Sequence, residues 1–275
     1  MKIVKRTLCS LVITALIPVA AQWAVAQETN PMPALSDYGV TPGAAPDLSA
    51  APPQSRLVAT GPPSYCSPCR FYSGDFNSAS PNAEGLSNEN DDSVHLSQLF
   101  TPFTVPSGHQ WIVTGLFINS LALVNTANPK RTGWSIWTGM SSGNSGTLRA
   151  AGTGKATFNP TGRNISLYTE YTIRVNLSAP VTLHCGTYWL NMLPQCTNAG
   201  DANCANQRYF EADVEDASPA HHHGPANIVD DSFINSNVFS LNYAPAAATS
   251  GCSGNSCDAF SFGVIGTTTT GPLCL

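Results

Sequence analysis

The sequence predicts an all-β fold: an antiparallel β-sandwich of jelly-roll type, stapled by disulfides. Three observations lead there. Residues 165–193 alternate with period two. Ile165, Leu167, Tyr171, Ile173, Val175 and Leu177 share one parity, with Thr169 the only miss. Ser166, Glu170, Thr172, Arg174 and Asn176 take the other, together with Tyr168. Such alternation puts one set in a core and the other in water. Turn signals recur along the chain, among them Pro106-Ser107-Gly108, Ser142-Gly143-Asn144 and Gly224-Pro225. No stretch shows helical spacing with caps, and many short strands without helices build a sandwich.

The first residues read as an address. Lys2, Lys5 and Arg6 precede an apolar run over 8–21, and Ala24-Val25-Ala26 has the small-x-small form of a cleavage site. Residues 1–26 therefore read as a secretory signal peptide. No second apolar run of spanning length follows, so no membrane span is expected in the mature chain. Without the signal, Lys and Arg fall from 12 to 9 against 17 Asp and Glu, a balance of −8. That balance argues against nucleic acid or an anionic membrane as partner. Residues 27–64 hold eight prolines and few bulky apolar side chains, which predicts an extended linker.

The folded part is expected over 65–268, with a short tail at 269–275. Strands are predicted near 94–105, 110–121, 133–138, 147–158, 165–177, 181–184, 187–193, 208–214, 233–243 and 259–265. The run Trp111 to Ile118 is apolar on both parities, which predicts a central strand covered on both faces. Ser178-Ala179-Pro180 interrupts the longest alternation, since Pro cannot donate to a ladder. Gly186 resets its phase.

Eight cysteines remain after the signal, and an even count behind an export signal predicts four disulfides. Short loops favour Cys196–Cys204 and Cys252–Cys257. Cys66–Cys69 is tight, and it would leave Cys185–Cys274 as a long-range tie. Eight cysteines allow 105 pairings, so spacing alone leaves the connectivity open. A zinc ribbon would need a second CxxC, and a redox CSPC would need a strand-to-helix context.

Few constellations carry chemistry. Gly139-Met140-Ser141-Ser142-Gly143 matches G-x-S-x-G, but in a Gly/Ser loop between strands rather than at a strand-to-helix elbow. His221-His222-His223 sits between prolines and reads as a solvated loop, because three adjacent imidazoles converge on one ion only through a strained backbone. Hard oxygen ligands at Asp91, Asp92, Asp201, Asp230 and Asp231 leave room for a structural calcium, with no cofactor required. Trp134 and Trp137 are three apart on a strand and so face opposite sides. One of them with Tyr168 could form an exposed platform for a sugar ring; the alternative is that these rings fill the core.

The segments LFTPFTVPSGHQWIVTGLF, GTYWLNMLPQC and DAFSFGVIGT resemble uncharacterised secreted bacterial jelly-roll domains, including domains of sorted surface proteins. The GTTTTGPLCL end lacks the apolar helix and basic tail of the sorted members. The resemblance implies fold and a secreted or periplasmic location, with no activity or site residues. The expected function is a non-catalytic binding or surface-structure module with a glycan or cell-surface polymer as ligand. The alternatives are an extracellular hydrolase acting on polysaccharide or ester, and an inert envelope component.

Overall fold

A computed structural model describes residues 62–76, 85–90, 96–123, 129, 131–165, 168–195, 209–212, 214, 221–225, 231–237, 239–248 and 259–274. The chain divides into two units, 1–43 and 44–275, and every described residue belongs to the second. The expected signal peptide and nearly all of the linker lie outside the described residues.

Among the described residues eleven strands follow one another: β1 Cys69–Tyr72, β2 Gly85–Ser87, β3 Glu89–Asn90, β4 Leu96–Leu123, β5 Arg131–Thr138, β6 Thr147–Ile165, β7 Tyr168–Gln195, β8 Tyr209–Ala212, β9 Phe233–Ser236, β10 Leu241–Pro245 and β11 Phe262–Thr270. One turn of 3-10 helix, Ala246–Ala248, follows β10. The strands join in a single sheet with the path β1-β11-β4-β3-β7-β5-β6. Every pairing is antiparallel except the short β3–β7 contact at Asn90 and Gln195.

Two strands of 28 residues, β4 and β7, pair along most of their length. They fuse what the sequence pattern separates into two and three strands. The reason is where the prolines fall. Residues 106–109, with Pro106, bulge opposite Cys185, and residues 177–180, with Pro180, bulge opposite Thr114. A bulged proline needs no ladder donor, so the strand continues past it.

The bulges let the sheet fold over. Phe103 lies fifteen residues before Ile118, about 50 Å away along a straight strand. Yet its ring centroid is 6.2 Å from that of Phe262, whose backbone pairs with Ile118. Phe103 also stacks on Trp111 at 6.0 Å and on Tyr188 at 5.7 Å. The two halves of the sheet therefore face one another across a core of Phe103, Val113, Leu116, Ile136, Ile173, Leu190 and Phe262. This antiparallel sandwich rests on one continuous sheet; the strand order carries the sandwich and not the jelly-roll assignment. Phe117, of opposite parity to Leu116, packs with Tyr72 and Ile265 in a second cluster, so this stretch of β4 is covered on both faces.

Two of the four expected disulfides are present. Cys66–Cys69 clips the start of β1, and both residues are buried. Cys185–Cys274 ties the end of the chain to β7. Cys196, Cys204, Cys252 and Cys257 lie outside the described residues. β11 runs on to Thr270, past the sequence-based boundary, because 267–270 pair with 109–112 of β4.

Candidate functional site

β6 changes partner half-way along. Thr147–Lys155 pairs with β5, and from Ala156 onward the strand pairs with β7. Gly154 permits the crossing: a Cβ there would come within 2.4 Å of Val175 Cγ1. The change of partner opens a groove of about 680 Å³ lined by Pro129, Arg131, Thr153, Lys155 and Phe158. Phe158 is half-buried and stacks on Tyr171 with ring centroids 4.0 Å apart and planes at 15°. Arg131 and Lys155 face each other directly across β5 and β6, both exposed. Arg131 Nη2 donates to Thr153 Oγ1 at 2.8 Å, which aims the guanidinium along the strand pair. An aromatic ring beside hydroxyl and guanidinium groups suits a ligand with an apolar face and many oxygens.

Tyr168 does not form a platform with either tryptophan; the three rings lie in separate clusters, as the alternative reading has it. Trp134 is buried in the main core, its indole against Gly152. Trp137 packs edge-on to Phe100, 6.1 Å away, and its Nε1 donates to Ser135 Oγ. Tyr168 lies in a third cluster, edge-on to Phe210 at 5.7 Å, and partial burial raises its phenol above the usual range. Each ring is recruited by the nearest core, so the stacked aromatic surface comes from Phe158 and Tyr171 instead.

The triple histidine is docked rather than solvated. His223 exchanges two backbone hydrogen bonds of 2.9 Å with Tyr72. His222 Nδ1 sits 3.2 Å from the Ser73 carbonyl, and its ring packs edge-on to Phe71. His221 Nδ1 contacts Asp75 Oδ2 from a left-handed backbone, φ 61°. That conformation costs a non-glycine residue about 1–3 kcal/mol. Asp75 is the hub of a network that runs inward. It accepts from the Tyr72 hydroxyl at 2.6 Å and pairs with Arg163 Nη1 at 3.2 Å. Arg163 Nε donates to Glu170 Oε2 at 2.5 Å, and Thr161 Oγ1 donates to the same oxygen. Asn119 donates to both Tyr72 Oη and Ser261 Oγ, and accepts from Thr172 Oγ1.

Glu170 and Thr172 are thus buried, not in water as their parity predicts. The network occupies that face, so polarity there marks hydrogen bonding rather than exposure. Burial raises the Glu170 carboxyl, and Arg163 and Thr161 offset this in part. Burial alone would lower the Arg163 guanidinium; the Glu170 carboxylate reverses that and holds it above its usual range. Burial likewise raises the Tyr72 phenol well above its ordinary value.

An Asp–His pair is one component of a hydrolytic site. Among the described residues no hydroxyl or thiol contacts a histidine ring nitrogen. Ser141 lies in an exposed turn, bridged to Asn144, where Gly143 donates to the Tyr243 carbonyl. It is not at an elbow. No group of three or more His, Cys, Asp or Glu among the described residues could hold a metal ion. Asp231 is exposed, and its carbonyl accepts from Trp189 Nε1 at 2.7 Å. Asp91, Asp92, Asp201 and Asp230 lie outside the described residues.

A second buried polar cluster surrounds Asn88. Its amide donates to Met192 O at 2.8 Å and to Glu211 Oε2 at 2.6 Å. Burial holds the Glu211 carboxyl well above its ordinary value, and the Asn88 bond lowers it only in part. The folded chain therefore keeps a proton that the unfolded chain loses near pH 4.3. Stability from this group is full below that pH and declines as pH rises toward the folded value, by up to about 1.4 kcal/mol per pH unit. Urea titrations at pH 5 and pH 7 should show Glu211→Gln losing less stability between the two than the parent. Equal losses would place the carboxyl in its ordinary range.

Compared with known protein families, curated proteins and solved structures, the chain matches none.

Proposed function

We propose that this chain is a secreted, non-catalytic binding module that takes a carbohydrate chain in the groove where β6 leaves β5. The stacked pair Phe158–Tyr171 beside the groove carries this reading. A ring held flat by a second ring offers its apolar surface at little entropic cost, and such surfaces stack on sugar rings. The groove is open at the surface, as a polymer ligand requires. Two disulfides support an oxidising compartment, and the N-terminal pattern supports export.

Phe158→Ala should weaken glycan binding at least tenfold while the fold survives, since Phe158 sits at the margin of the core. A glycan array followed by calorimetry on the best ligand would measure this. Binding to no glycan, or equal binding by the variant, would overturn the reading. Turnover of a polysaccharide or ester that is lost in His221→Ala would replace it with the hydrolase.

A further inference from the structure

The chain is acidic overall, yet its charges are segregated. Between Asp92 and Asp201 the sequence contains six Lys and Arg but one Asp or Glu, against totals of 12 and 17. The one acid is Glu170, and it is buried against Arg163. β4, β5, β6 and β7 come from this stretch, so the sheet that carries the groove has no exposed carboxylate among its described residues.

We infer that the groove binds an acidic polysaccharide, one bearing carboxylate or sulfate groups. This rests on the carbohydrate reading above and adds its charge class. Arg131 and Lys155 stand directly opposite on neighbouring strands. Like charges so placed destabilise a sheet. Among the described residues neither has an ion-pair partner, and both line the groove. An anionic group between them satisfies both cations, and the guanidinium fork fits a carboxylate or sulfate through two parallel hydrogen bonds. Phe158 also lines the groove, from the core-facing side of β6, and supplies the stacking surface for the attached ring. A nucleic acid needs a longer basic track, with neutralised phosphates setting its affinity; two cations flanking one ring match a charged sugar better.

The test uses the mature protein with polygalacturonate, a neutral β-glucan and single-stranded DNA, each at low and high salt. Polygalacturonate should bind at least tenfold more tightly than the neutral glucan, and salt should weaken it. Arg131→Ala/Lys155→Ala should lose at least tenfold on polygalacturonate with a melting temperature unchanged or raised, because both side chains are exposed and their repulsion is relieved. Arg149→Ala, outside the groove, should bind like the parent. Equal affinity for both glycans, lost in Phe158→Ala but not in the double variant, would overturn the acidic preference and keep the carbohydrate reading. Binding to neither glycan would overturn both. Tighter binding to DNA, lost in the double variant, would replace the ligand class.

Discussion

Arg163→Met should destabilise the protein by about 3–5 kcal/mol, the usual cost of leaving one partner of a buried ion pair alone. Glu170 is fully buried, and its Oε1 already lacks a hydrogen-bond partner. Without the guanidinium, Thr161 Oγ1 would be the side-chain donor left to the carboxylate, and a buried carboxylate is costly to desolvate. Asp75 would lose its cation as well, while keeping Tyr72 and His221. The penalty should depend on pH. In the variant the carboxyl is raised further, so the folded state holds a proton that the unfolded chain releases near pH 4.3. The parent carboxyl is itself raised, so the difference between the two proteins is small up to the parent's folded value and grows from there toward the variant's. Glu170→Gln in the same background removes the buried charge and should recover much of the stability, so the two changes are strongly non-additive. Urea unfolding of the parent, both single variants and the double at pH 5 and pH 8 would measure all of this. A change under 0.5 kcal/mol for Arg163→Met would show that the pair contributes nothing.

The sandwich is legible in the sequence because period-two alternation reports directly on which side chains meet the core. Ile173, Val175, Leu190 and Met192 are where the pattern puts them. Alternation fails where a strand is covered on both faces by unlike surroundings. Glu170 and Thr172 look solvent-facing, but they point into a network completed by the preceding strand β6 and by β1 and the 221–225 loop, the last two distant in sequence. The short strands β1, β2 and β3 leave no periodic trace, because two to four residues span at most two repeats of the alternation. The groove was hidden for a different reason. It exists where β6 exchanges one partner for another, and exchange is a property of pairing, not of one strand's composition. Phe158 reads simply as the last apolar residue of a predicted strand. The missing signal was charge order along the chain: the net balance averages away a long stretch with a single acid.

Removing the Cys185–Cys274 bridge should cost about 4–5 kcal/mol, the largest effect of any single cross-link described here. Its two cysteines are 89 residues apart, and closing so long a loop restricts the unfolded chain strongly. Cys66–Cys69 spans three residues, and the same relation assigns it about 2 kcal/mol. The structure adds a local reason. β1 pairs with β11 only as far as Ile265, so among the described residues 267–270 have β4 on one side and no strand on the other. Beyond them the chain is held by backbone bonds between Gly108 and residues 271 and 272, and by the Cys274 amide donating to Ser107 Oγ at 3.1 Å. These contacts are exposed, so the covalent tie is what keeps the last strand from fraying. Cys185→Ser/Cys274→Ser should lower the urea midpoint under non-reducing conditions, and amides 267–270 should exchange faster than those of 116–118. Cys66→Ser/Cys69→Ser should cost roughly half as much and leave 267–270 protected. Equal losses for the two pairs, or a loss below 1 kcal/mol for the long-range one, would mean that the edge of β11 is held by its ladder to β4 alone.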